Sequence, residues 1–369
     1  MSIRSGWQFG LVSVVSVFLV GWTVPQPEVN CPKAGSATEY LLKDGCTPTK
    51  SVDCIAISTQ LAPNVIMYIY EDHPAVTPIS PFFYEVPHYG VFNPFFLAAY
   101  TKLLQDDCFN DDPNDDHDNT EACSYLAIQL NWFDASRESP HKGEDIWRYP
   151  NGYADGMTQA EIAYLYDRQY QYESQCDTRP ESVWCKNHRA TTPESYRTKS
   201  DRAGKAFDWA YGNSGVAHAY DDFHFWYMHV TIKQKTPHFV LNTHNKALIR
   251  LNDLCVTYPG SAWCTRLARG INALREPSLS RVDVTDFVCP STVCSPQSSP
   301  EPFPYNWSYY RVGKDPASCG YHRLNADTLL RLVDRGHDSG PWPGILQKYA
   351  SDWSKAFDQA VAMQKCSNP

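Results

Sequence analysis

The chain has 369 residues, a net charge of −9 and 43% hydrophobic residues. That length supports a sizeable core and that apolar share excludes disorder over most of the chain. The acidic balance excludes a general nucleic-acid binder, which needs a basic surface, and no basic groove for a polyanionic glycan is visible along the sequence either.

The first residues read MSIRSGWQFGLVSVVSVFLVGWTVPQPEVNC. Arg4 supplies a positive start, Gly10–Val20 is mostly apolar, and a polar stretch with prolines follows. This predicts a secretory signal peptide over residues 1–24, with a signal anchor and membrane attachment through the apolar run as the alternative; the run is short of the about 20 residues that a span needs. Residues 25–79 form a Cys- and Pro-bearing segment, in which VIMYIY, within Ala62–Glu71, is a strand candidate. Next, PFFYEVPHYGVFNP leads into a helix that Asn93 caps and Pro94 opens, and FFLAAYTKLL carries its period. The acidic stretch 105–118 lacks the ordered ligands and glycine of an EF-hand and reads as a solvated loop.

Further helices are predicted at Glu121–Phe133, after WRYPNGYADGMTQ as far as Tyr170, and at Arg197–Tyr211, Phe239–Leu254, Ala262–Leu274, His322–Asp334 and Ile345–Met363. FHFWYMHVTI alternates and is predicted as one strand over Phe223–Ile232. With 23 Tyr and 11 Trp the chain has ample aromatic surface, either for a core or for sugar docking.

Thirteen cysteines point to an oxidising compartment. The close pairs Cys108/Cys123, Cys176/Cys185, Cys255/Cys264 and Cys289/Cys294 are expected to be disulfides clamping turns. Two of them share a spacing and a preceding Trp, in ESVWC and GSAWC. Cys31, Cys46, Cys54, Cys319 and Cys366 remain without an assigned pairing. No Cys-x-x-Cys occurs, and the cluster His218, Asp221, Asp222, His224, His229 matches no ligand spacing, so no metal is expected. Nucleotide-binding and serine-hydrolase motifs are missing from the sequence, and no cofactor is expected. Asn306-Trp307-Ser308 is a glycosylation sequon.

Two blocks carry a family signal. Thr236–Leu254 reads TPHFVLNTHNKALIRLNDL, and Gly320–Phe357 contains GYHRLNADTLLRLVDRG and KYASDWSKAF. They resemble the C-terminal region of the D-glucuronyl C5-epimerases. In that family a TP–FVLN segment enters a helix ending in Leu-x-Asp-Leu, a Tyr-His pair opens a later helix, and an aromatic-rich helix closes the domain. Gly152, Tyr153, Met157 and Gln159 also resemble that family's Gly-Trp-Tyr-x-x-Met-x-Gln step. The resemblance implies a mainly α fold, an (α/α) toroid of paired helices, over residues 80–365. It implies a uronate C5-epimerase-like enzyme, secreted or in the Golgi lumen, that acts on a uronic-acid-containing polysaccharide. A polysaccharide lyase sharing the first step and a non-catalytic glycan-binding relative are the alternatives, and a glycoside hydrolase would need an acidic pair that does not stand out.

Epimerisation at C5 removes a proton beside a carboxylate and returns it to the opposite face. It needs two proton carriers and a group that stabilises the carboxylate as it becomes enolate-like. The resemblance implies Tyr321 as one carrier and Tyr309 or Tyr310 as another. Arg311 suits carboxylate recognition through its planar fork, and His322 is placed to orient the phenol or touch substrate. The family's Glu-Tyr-Pro is replaced here by Ile232, Lys233 and Gln234, and its Asn-Leu-Ala-Arg by DPASCG. Tyr227 and His229, on one face of the predicted strand, are the expected replacements, with Lys233 lowering a phenol's pKa or binding the uronate. Gln159, Tyr153, Asn242 and His238 complete the expected substrate-binding set.

Overall fold

The computed structural model describes residues 54–58, 66–70, 94–109, 120–148, 153–190, 192–231, 238–278, 281–291, 294, 305–313 and 315–366. The predicted signal segment, Asn93, most of the acidic stretch 105–118, Gly152 and Lys233 lie outside them. The fold is mainly helical. Its helices are α1 (Pro94–Cys108), α2 (Thr120–Ser136), α3 (Gly156–Ser174), α4 (Val183–Asn187), α5 (Glu194–Gly204), α6 (Leu241–Thr257), α7 (Ala262–Arg275), α8 (Cys319–Asp334) and α9 (Ile345–Ala362). The strands are β1 (Cys54–Ser58), β2 (Ile66–Tyr70), β3 (Tyr153–Asp155), β4 (Ala217–Ala219), β5 (Phe225–Tyr227), β6 (His229–Thr231), β7 (Val288–Cys289), β8 (Trp307–Arg311) and β9 (Asp315–Pro316). All strand pairs are antiparallel: β1 with β2, β3 with β6, β4 with β5, and β7-β8-β9 in one small sheet. Among the described residues no helix is long and apolar enough to cross a membrane.

Helices α1, α3, α6 and α8 pack side by side in that order, and α2, α5, α7 and α9 lie each against its predecessor in the row. The result is a row of four helix hairpins. Its core lies between the two layers and is filled by Leu165, Tyr166, Leu248, Leu251, Leu329 and Trp353, all fully buried. Burial of each such side chain contributes roughly 1.5–3 kcal/mol. A smaller core of Trp307, Ala317, Phe357, Ala360 and Cys366 lies between β8 and the end of α9.

The four close cysteine pairs are all disulfides, and Cys319 joins Cys366 as a fifth. Three of them close the same kind of turn: α1 to α2, α3 to α4, and α6 to α7. The α8–α9 hairpin is tied at its other end, start of α8 to the residues after α9, across 47 residues.

The hairpins also share a device that a search for repeated letters does not find. The fourth residue of α6 is His244 and the fourth of α8 is His322, both fully buried. His244 Nδ1 accepts from Tyr227 N at 3.0 Å, and its Nε2 faces Gly270 O in α7 at 3.1 Å. His322 Nδ1 accepts from Ser308 N at 3.0 Å, and its Nε2 faces Trp353 O in α9 at 2.9 Å. Each ring stacks on the Trp just before its strand donor: Trp226 at 4.1 Å and Trp307 at 3.5 Å between centroids. Each imidazole therefore bolts an entry strand to both helices of a hairpin. Helix α3 has Gln159 in the same place, accepting from Trp147 N at 3.1 Å and donating to Trp147 O at 2.8 Å.

Two expectations change. The strand predicted over Phe223–Ile232 is two strands, because Met228 breaks it: its N–H donates to Val216 O, and its carbonyl accepts from Gly156 N. β5 then pairs with β4 and β6 with β3, so one alternation does not run through both. The helix predicted at Arg197–Tyr211 starts at Glu194 and ends as an α-helix at Gly204, followed by two short 3-10 turns. Residues 307–311 form β8, a strand not predicted from the sequence. In the sequon Asn306 is exposed, whereas Ser308 is buried and bonded to His322 and Asn325.

Candidate active site at the helix starts

The short strands bring the starts of α3, α6 and α8 to one end of the row. β3 runs straight into α3 and pairs with β6, with Asp155 opposite His229. His229 bridges to His238, and Val240, at the entry to α6, bridges to Arg311. β8, which ends at Arg311, leads through β9 into α8. The lane 238–240 thus lies between the strand that carries His229 and the strand that carries Tyr310 and Arg311. Asp155 caps α3, its carboxylate accepting from Thr158 N at 2.6 Å, and Ser318 caps α8, accepting from Tyr321 N at 3.4 Å.

Tyr310 and Tyr321 meet at this end. Both are partly exposed, their ring centroids are 4.6 Å apart, and their side chains hydrogen-bond. Burial raises the pKa of both phenols. Their hydrogen bond adds to the rise at Tyr310 and offsets it at Tyr321, which makes Tyr321 the more readily ionised of the two. The Asp155 charge also reaches Tyr310 and raises it, and Arg311 lowers it without reversing the shift. Desolvation outweighs the Arg311 charge, and both hydroxyls keep their protons at neutral pH; Lys233, the cation expected to acidify a phenol, lies outside the described residues. Across the lane, His229 Nδ1 stands 3.6 Å from the buried Asp155 carboxylate.

The remaining expected residues divide cleanly. Tyr309, on the other face of β8 from Tyr310, packs against the main core and pairs with Pro316. Tyr227 is fully buried; its hydroxyl donates to Arg266 O at 2.5 Å, and burial pushes its pKa up, so it cannot serve a cleft. His322 is the stacked core imidazole described above, kept neutral by burial with a pKa of about 3. Gln159 spends its amide on Trp147. Tyr153 pairs through its backbone with Thr231. Asn242, in the first turn of α6, is nearly buried, and its Oδ1 has no hydrogen-bond partner.

Other polar groups of this region escaped the sequence reading. Asp155 carries an N-cap signal ahead of Gly-Met-Thr-Gln that was legible but unused. Lys246 and Arg250 follow the already expected Asn242 at steps of four residues, which puts all three on one face of α6. Glu161 of α3 accepts from Lys102 of α1 at 2.5 Å and from Arg250 at 2.7 Å. Burial disfavours its charge, but the two cations outweigh that and hold it near 2. Lys102, Arg168 and Arg250 all face the ring of Tyr164, at 5.8, 5.9 and 4.6 Å. A protein that is acidic as a whole thus has a cation-rich stripe across its inner helices. Beside the lane, a cavity of about 710 Å³ is lined by His218, Tyr220, Phe239 and Arg281.

The chain matches no protein-family model, and no curated protein matches it.

Proposed function

We propose that the chain is a uronate C5-epimerase-like enzyme of the secretory pathway, acting on a uronic-acid-containing glycan. The four hairpins would then form part of an (α/α) toroid whose helix starts line the cleft. The reading rests on one observation above all: a hydrogen-bonded pair of protonated phenols beside Arg311, with a His–Asp pair across the lane. Imidazole is the usual general base near neutral pH. In this mechanism His229, steadied by Asp155, takes the proton from C5. Arg311 pairs with the sugar carboxylate and stabilises the negative charge that spreads onto it. Tyr321 delivers a proton to the opposite face of C5, and Tyr310, which donates to it, helps to hold that proton in place. The rise in both phenol pKa values supports the role of acid rather than base. The five disulfides fit an oxidising lumen, which supports a secreted or Golgi-lumenal location.

Incubation of a glucuronate polymer with the protein in deuterated water tests the reading. An epimerase places deuterium at C5 without cleaving the chain. A lyase generates an unsaturated end that absorbs in the ultraviolet, and a binding protein does neither; either of those outcomes overturns the proposal. Tyr321→Phe should slow exchange by about 100-fold or more while leaving the fold intact, since only a hydroxyl is lost.

A further inference from the structure

The cavity of about 710 Å³ beside the lane has no part in the reaction proposed above. Its volume falls in the range of small-molecule sites, roughly 300–1,000 Å³. It borders the lane through Phe239 and Val312, whose N–H donates to Phe239 O at 3.4 Å. Three aromatic rings line it together. Tyr220 and Phe239 are nearly parallel, 12° apart, with centroids 6.3 Å from each other. His218 stands close to perpendicular to both, at 4.6 and 5.4 Å. The Tyr220 hydroxyl is engaged, accepting from Val282 N at 3.0 Å. Among the described residues the His218 imidazole has no hydrogen-bond partner. Burial lowers its pKa, so the ring is neutral and one nitrogen keeps a free lone pair.

The charges around these rings are mainly negative. Burial pushes Tyr220 up to about 12, and among the charges that act on it Asp286 and Asp283 each outweigh Arg281. Asp286 lines the cavity and is exposed. Arg281, the one cation in the lining among the described residues, is balanced close by: its guanidinium reaches Asp221 at 3.4 Å and Glu276 at 4.0 Å. An anion would meet Asp286 and find Arg281 already paired. A purely apolar molecule would leave the imidazole unsatisfied. A cation gains from the electron-rich ring faces, from the acidic surroundings and from the imidazole lone pair. We propose that this cavity binds a small organic cation, an alkylammonium group held against Tyr220 and Phe239, with His218 accepting from its N–H or from a hydroxyl beside it. The site stands apart from the uronate reaction and does not depend on it.

Titration calorimetry of the full chain with choline, ethanolamine and 3,3-dimethyl-1-butanol, the uncharged isostere of choline, tests the site. Choline or ethanolamine should bind at least about ten-fold more tightly than the isostere. The tighter of the two shows whether the ammonium is alkylated, which favours the ring faces, or carries N–H groups, which favour His218. No binding of either ammonium, or binding of the isostere as tight as that of choline, overturns the proposal. Two variants locate the binding on an acidic protein that has other places for a cation. Phe239→Leu removes a ring, and Asp286→Asn removes a charge while keeping the shape of an exposed side chain. Each is checked for an unchanged circular dichroism spectrum. Asp286→Asn should weaken the ammonium several-fold and leave the isostere unaffected, and Phe239→Leu, if folded, should weaken it about ten-fold. Unchanged ammonium binding in Asp286→Asn and in every folded ring variant, Tyr220→Leu included, would place the cation elsewhere and overturn the site.

Discussion

His244 and His322 make the fold sensitive to acid. Burial keeps each imidazole neutral, with a pKa of about 3, whereas an unfolded histidine protonates near 6.5. Below pH 6.5 the unfolded chain therefore binds protons that the native state refuses. Stability from this source is intact above about 6.5 and falls with pH by up to about 1.4 kcal/mol per unit for each histidine. Urea midpoints measured from pH 7 to 4.5 should show that slope, and the double variant His244→Gln, His322→Gln should flatten it. Glutamine is the conservative choice, since α3 already uses Gln159 in that place. Glu144 works in the opposite direction. It is fully buried, neither carboxylate oxygen has a hydrogen-bond partner, and burial raises its pKa to about 7. Between about 4.3 and 7 the native state holds the extra proton, so this contribution to stability is lost as pH rises through 7. Glu144→Gln should stabilise the protein by about 1–3 kcal/mol more at pH 8 than at pH 5. An equal effect at both values would show that the carboxyl is charged throughout. Sequence reading reached His322 through its Tyr-His pair but could not choose between a substrate contact and a core imidazole, because a histidine in a sequence does not show which ring or carbonyl it meets.

The helices were legible because their apolar positions recur with the helical period, and the close disulfides because their cysteines flank helix ends. The strand at 223–232 was misread for a physical reason. Alternation reports which residues share a face only while one pairing partner persists, and at Met228 the partner changes. That break buries Tyr227 and leaves His229 on the lane. β8 was missed although Trp-Ser-Tyr-Tyr is rich in strand formers. The end of α5 was not legible either, because Gly204 is there for a neighbour distant in sequence. A Cβ at Gly204 would lie 2.1 Å from the Trp263 ring of α7, so two hairpins touch through this glycine. Gly204→Ala should cost about 1–3 kcal/mol in thermal or urea unfolding, although alanine is the better helix former. No loss of stability would mean that Trp263 can move aside.

Net charge concealed a local concentration of the opposite sign. A value of −9 is an average over the chain, whereas Lys102, Arg168, Lys246, Arg250 and Arg331 lie on four different helices and gather only when these pack. The candidate site is likewise an assembly product, drawn from β3, β6, β8 and the first turn of α8. Its phenol pair packs on the smaller core rather than the main one. Replacing Cys319 and Cys366 together by serine should cost about 3–4 kcal/mol. Amide exchange should quicken first in β8 and the last turns of α9, while α3 and α6 remain protected. Uniform loss of protection would mean that the two cores unfold as one unit.

The Cys319–Cys366 bond has a consequence for when the candidate site is complete. Tyr321 lies two residues from Cys319, so the first turn of α8 is secured by a thiol that is synthesised much later. A nascent chain carries every residue of the candidate site before residue 366 exists, and in a reducing cytosol the bond would not form even then. Completion of the site would be a maturation step, timed by oxidation in the lumen. A chain that strayed into the cytosol would have the parts of the candidate site without the fastening that holds them together.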